Sequence, residues 1–106
     1  MKIKVNRQLN QGKFRVNFEV SDFTSEELSK MASFGVPLIE MIFQARNGPM
    51  TARIPINQIN PTHEAVFPTF ETAKEYEEKV FAQIRSSMER LRQSKDDFSS
   101  SEEVVL

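Results

Sequence analysis

The sequence predicts an α+β domain, and three observations carry that expectation. Two apolar runs of period two flank a glycine-bearing turn near residue 12, a second pair flanks Asn47-Gly48, and from Thr69 onward the apolar period lengthens to that of a helix. The expected architecture is a four- or five-stranded, mainly antiparallel sheet in the order β-β-α-β-β-α with both helices on one face. It fills residues 1–95, and residues 96–106 form a disordered, acidic, serine-rich tail. A chain of 106 residues lies within the range of a single domain and can bury a core without staples.

Ile3, Val5 and Leu9 alternate with Lys2, Lys4, Asn6 and Gln8, and Phe14, Val16, Phe18 and Val20 alternate with Lys13, Arg15, Asn17 and Glu19. Between the runs, Asn10-Gln11-Gly12 reads as a three-residue hairpin loop, because glycine takes the left-handed conformation at little steric cost. Arg7 falls on the apolar parity and predicts a fray or bulge there. Thr24 followed by Glu27 makes a capping box, Phe23 and Leu28 have the spacing of a hydrophobic staple, and Gly35 stops the helix. Leu28, Met31 and Ala32 are its expected inward stripe, and Val36-Pro37 biases the exit toward extended backbone.

Residues Leu38 to Ala45 are apolar on both parities and suit a central strand. Asn47-Gly48 predicts a two-residue hairpin turn, after which Ala52, Ile54 and Ile56 continue the inward set. Pro55 lacks an amide donor and places this fourth strand at an edge. Pro61 and Pro68 bracket a segment whose Ala65-Val66-Phe67 has room for a short fifth strand. Beyond it, Phe70, Ala73, Tyr76, Val80, Phe81, Ile84, Met88 and Leu91 fall in one broad helical stripe. Glu71, Glu75, Glu77 and Glu78 crowd the start of that helix, and Arg85, Arg90, Arg92 and Lys95 its end, an order that complements the helix dipole.

Charge is segregated along the chain. The first twenty residues carry five cations against Glu19, leaving nine cations and fourteen anions for the remainder of a chain whose net charge is −1. Absence of cysteine excludes disulfides, thiol nucleophiles and thiolate metal sites. The lysines within Met1-Lys2-Ile3-Lys4-Val5 do not suit a signal peptide, and no run approaches the ~18 apolar residues of a membrane span. A cytoplasmic setting is the expectation, with no membrane partner.

The sequence offers little for catalysis. His63 is a lone histidine beside Glu64, with no nucleophile and no further metal ligands, and reads as a loop-anchoring residue. An enzyme would need His63, Glu64 and Tyr76 to converge, which nothing predicts, so no catalytic residue, metal or cofactor is expected. The three glycines sit at turns or a helix stop rather than in a phosphate loop. Glu77 is the exception among the carboxylates, because it falls on the apolar stripe where an unpaired charge is costly. It either reaches solvent at the first turns of the helix or forms a buried ion pair, for which the out-of-phase Arg7 is the candidate partner.

Two surfaces remain for binding. If all strands share one sheet, its open face collects Lys2, Lys4, Lys13, Arg15, Arg46 and Arg53 against Glu19 and Glu40, a mixture suited to phosphates, with the acidic tail as a competitor. That face has no aromatic for base stacking, the pI is about 5.9, and a solvated, lysine-rich face that resists aggregation explains the same residues. The second surface comes from length. A helix from Phe70 to about Ser94 spans roughly 37 Å, whereas an eight-residue strand spans ~27 Å, so the stripe through Ile84, Met88 and Leu91 should overhang the sheet. Either a second copy buries it or the Pro61–Phe67 segment folds back over it. The expectation is therefore a small non-catalytic interaction or adaptor protein acting through its long helix and sheet surface, as a homodimer or with a protein partner. A nucleic-acid-binding accessory protein using the cationic face is the alternative.

Overall fold

A computed structural model describes residues 1–60 and 62–105, with side chains through Gln93. Where a disordered tail is expected from residue 96, the last helix continues to Val105, and the expected competition for a cationic face lies outside the residues whose side chains are described. The elements are β1 (Lys2–Asn10), β2 (Lys13–Ser21), α1 (Ser25–Phe34), β3 (Leu38–Ala45), β4 (Gly48–Pro55), a 3-10 turn (Ile56–Gln58), β5 (Glu64–Phe67) and α2 (Phe70–Val105). The class is α+β, and every strand pairing is antiparallel.

Both hairpin turns differ by one residue from expectation. Asn10 pairs with Lys13, so the first loop is the two residues Gln11 and Gly12, with φ of 53° and 75°. Positive φ at both central positions is the type I′ signature, whose twist matches that of the flanking strands. In the second hairpin Ala45 pairs with Gly48, the loop is Arg46-Asn47, and Gly48 opens β4 with φ of 116°. A turn followed by a glycine bulge produces that arrangement.

The five strands do not form one sheet. They divide into a three-stranded sheet, β1-β2-β5, and a two-stranded sheet, β3-β4. The second edge of β2 is taken by β5, from Phe14 opposite Phe67 to Asn17 opposite Glu64. β5 lies close to β3 without pairing to it, and the outward backbone groups of β3 are bonded by side chains of α2. There the Glu40 N–H donates to Gln83 Oε1 at 2.9 Å, and the Ile42 N–H donates to the Tyr76 hydroxyl at 2.9 Å, which returns a bond to the Ile42 carbonyl at 3.3 Å. Two helix side chains thus supply what a neighbouring strand would have supplied.

The capping box forms as expected, with the Glu27 N–H donating to Thr24 Oγ1 and the Thr24 N–H to Glu27 Oε1. The helix packs on a different face, however. Met31 is buried and Glu27 and Lys30 are partly so, while Leu28 and Ala32 are exposed. Its principal packing is against α2 and not on the sheet face, a second departure from the expected layering. Phe18, Ile39, Met41, Ile56, Val80 and Ile84 form the centre of one continuous core that joins both sheets to α2.

Candidate functional site

Local pairing decides which backbone groups β1 exposes. The Val20 N–H donates to the Ile59 carbonyl at 3.3 Å, so the even residues of β2 face β5 and the odd ones bond to β1. Through the register Asn10 to Lys13, Gln8 to Arg15, Asn6 to Asn17 and Lys4 to Glu19, the even residues of β1 are satisfied by β2. Ile3, Val5, Arg7 and Leu9 therefore turn their N–H and C=O groups to the open edge of the sheet, while their side chains occupy the inner face.

Two recesses lie between that inner face and the flank of α2. The larger, of about 410 Å³, is walled by Leu9, Phe14, Val16, Phe70 and Ala73. Phe14 and Phe70 meet edge to face with centroids 5.8 Å apart. Leu9 and Phe70 stand 67% and 56% exposed, uncovered by any element of the fold. The smaller recess, of about 210 Å³, lies at the other end of β1 and is lined by Ile3, Phe81, Ile84, Arg85, Met88 and Arg92 among others. Six residues of strand, roughly 20 Å, separate Ile3 from Leu9.

An ion pair spans the larger recess. Arg7 Nε donates to Glu77 Oε1 at 2.6 Å and its Nη2 to Oε2 at 3.0 Å, a two-pronged contact. The side chain of Glu77 is only 10% exposed and that of Arg7 61%, so the carboxylate is the desolvated partner and the guanidinium covers it from the solvent side. The hydrogen bond and the charge of Glu77 raise the Arg7 pKa above its ordinary value. Of the two readings of Glu77, the structure has the ion pair with Arg7, and β1 runs through that position without a break.

The six expected cations do not share a sheet. Lys2, Lys4, Lys13 and Arg15 lie on the outer parity of the three-stranded sheet, Arg53 belongs to the other sheet, and Arg46 sits in its turn. Arg15 is held by Glu64 at 2.8 Å, and Arg53 lies 3.7 Å from Glu40. Among the described residues, Lys2, Lys4, Lys13 and Arg46 have no ion-pair partner.

The helix is long, as expected, but the stripe expected to be exposed on it is not. Ile84, Met88 and Leu91 are 1%, 4% and 5% exposed in the single chain. The element that covers them is α1 with the segment after it, since Thr24, Lys30, Phe34 and Val36 line the clefts beside Met88 and Leu91. Of the segment expected to fold back, Glu64–Phe67 is engaged elsewhere, paired to β2.

His63, Glu64 and Tyr76 are committed to separate tasks: His63 Nδ1 accepts the Asn60 N–H at 3.5 Å, Glu64 binds Arg15, and the Tyr76 hydroxyl lies on β3. No group of three or more metal-ligating side chains occurs among the described residues. Nor is any helix among them long and apolar enough to cross a membrane. The groove itself escaped sequence reasoning because Leu9 and Phe70 belong to runs that read as core. The one sequence signal that marks its place is the pair of charges out of phase, Arg7 and Glu77. No protein-family model matches the chain, and no curated protein or solved structure does.

Proposed function

We propose that the chain is a small interaction domain, working without catalysis, whose binding surface is the groove between β1 and α2. The observation that carries this reading is the apolar recess of about 410 Å³ with Leu9 and Phe70 left exposed at its mouth. A concave apolar site of this size with a few polar groups at its rim is the usual form of a binding pocket. At its rim Arg7 is met by Glu77 and Arg15 by Glu64, which leaves Lys74 as the cation without an ion pair among the described residues, and the partner is accordingly a protein segment with apolar side chains and some negative charge. A second copy docking on Ile84, Met88 and Leu91 has less in its favour, because α1 already covers that stripe. Nucleic acid has in its favour the unpaired Lys2, Lys4 and Lys13. Against it stand the commitment of Arg15 and Arg53 to carboxylates and the placement of Phe14 and Phe70 on the inner side of the sheet. A cysteine-free chain fits a reducing, cytoplasmic setting.

Selection of short random peptides displayed on phage against the full chain tests this reading, with Phe70→Glu as the control protein and labelled single-stranded and duplex DNA titrated in parallel. Enriched peptides that bind the wild type and lose at least tenfold affinity for Phe70→Glu are the expected result. No enrichment, enrichment indifferent to Phe70→Glu, or steeply salt-dependent DNA binding lost in Lys4→Glu with Lys13→Glu would overturn it.

A further inference from the structure

We infer that the partner segment is an extended, acidic peptide that joins the three-stranded sheet as a new strand on the open edge of β1, an inference that rests on the groove being the binding surface. Four sheet edges exist among the described strands, and three are less open to such an addition than the fourth. Tyr76 and Gln83 occupy the edge of β3. On β4, Met50, Ala52 and Ile54 face Phe43, Met41 and Ile39, and the amides of Glu40 and Ile42 point away from β4. Pro49 and Pro55 therefore fall on the outward parity of β4, where each removes a donor from its edge. β5 is four residues long. β4 keeps outward donors only at Thr51 and Arg53, whereas β1, with nine residues, keeps all of its own, and no element meets the outward N–H and C=O groups of Ile3, Val5, Arg7 and Leu9 among the described residues.

The side chains around that edge suit a strand and select its charge. In an added strand alternate side chains point to the inner face, where the recesses at Leu9 and at Ile3 lie along one line. The flank of α2 that borders this line carries Lys74, Arg85 and Arg92 with Glu89, and the Glu77 charge is already met by Arg7. On the outer face the new strand would lie beside Lys2 and Lys4. Like charges placed opposite one another destabilise a sheet, so these lysines disfavour pairing of β1 with a second β1 and favour a strand bearing Asp or Glu. The occupant that fits is a segment with apolar residues on one parity and carboxylates on the other.

The test uses the full chain and the peptides from the selection above. Each peptide amide is N-methylated in turn, which deletes one backbone donor while retaining the side chain. Strand addition predicts that methylation at alternate positions weakens binding at least tenfold and at intervening positions less than twofold. It also predicts that replacing the peptide carboxylates by lysine abolishes binding. On the protein side, Leu9→Pro deletes one outward amide at an exposed position and should weaken binding more than Leu9→Ala. Uniform tolerance of N-methylation, selected peptides that are neutral or basic, or a helical bound peptide would overturn the inference while leaving the interaction domain standing. Failure of every peptide to bind would remove both.

Discussion

The edges of β1 and β3 make a controlled comparison within one molecule. Both strands are paired on one side only; α2 packs against β3, and it reaches β1 across the recess through the Arg7–Glu77 pair. At β3 the helix reaches across with Tyr76 and Gln83 and satisfies the outward groups of Ile42 and Glu40. At β1 the helix sends Glu77, which binds the Arg7 guanidinium and leaves the backbone untouched. The difference shows that a nearby helix does not by itself close an edge; closure requires side chains of the right reach at the positions whose amides face outward.

Tyr76→Ala should break the comparison most severely. It removes a buried ring that packs edge to face on Phe18 at 5.9 Å and against Phe67 at 5.0 Å, and it frees two backbone groups on β3. A loss of about 3–5 kcal/mol is expected by urea denaturation, the range for truncating a large buried ring, together with concentration-dependent association through the uncovered edge. Arg7→Leu comes next, at about 1–3 kcal/mol, because Glu77 is left desolvated without a partner. Glu77→Leu should cost less, since an Arg7 guanidinium that is mostly exposed can turn to water, and the double variant should recover most of the loss. A double-mutant cycle on unfolding free energies measures that asymmetry. Gln83→Ala should cost about 1 kcal/mol, the usual net worth of one hydrogen bond, and should speed hydrogen exchange at Glu40 without affecting Ile42.

Proton linkage supplies the finest probes. Burial raises the Tyr76 phenol above its ordinary value, with the Ile42 backbone contact acting in the opposite sense. The folded state then holds this proton more tightly than the unfolded one, so the stabilisation is complete below about pH 10 and declines as pH rises through the folded value. Tyr76→Phe should lack that alkaline decline in a pH series of denaturation midpoints. At Glu27 burial works to raise the carboxyl, but the Thr24 backbone N–H, the N-terminal ammonium and the Thr24 hydroxyl together hold it below its ordinary value. Its contribution is present above about pH 4.3 and fades as pH falls through the folded value, so Glu27→Ala should flatten the acid limb. Tyr76→Phe leaves the outward groups of β1 untouched and should bind a groove ligand as the wild type does, whereas Glu27→Ala releases the Met1 ammonium beside the smaller recess.

Residues whose roles follow from near neighbours were legible in the sequence. The Thr24 and Glu27 cap, the Gly35 stop, the Pro55 edge and the inward sets of β2, β3 and β4 all rest on spacings within a few positions. The Arg7 and Glu77 pair is the one long-range contact that phase alone exposed, because each charge sits where its own periodicity calls for an apolar side chain. The division into two sheets was not legible. Which strand joins the free edge of β3 depends on Tyr76 and Gln83, whose side chains read as stripe and surface respectively in any local window. The face of α1 was misread for a related reason: Leu28 is the more apolar residue, but the cover needed over Met88 and Leu91 is supplied by Met31 with the stems of Glu27 and Lys30. The first turn was one residue shorter than expected because Gln11, not only the glycine, takes positive φ.

The clasp of Tyr76 and Gln83 on β3 also sets an order of events during synthesis. The β3–β4 hairpin is complete in the chain by Pro55, yet its guards at Tyr76 and Gln83 follow Pro55 by about 21 and 28 residues, some 1–6 s of translation at ~5–20 residues per second. For that interval a strand with Ile39, Met41 and Phe43 carries an unguarded edge on the nascent chain. The short life of that exposure is what limits pairing of the β3 edge with another copy on a crowded polysome, while Pro49 and Pro55 blunt the opposite edge of the hairpin.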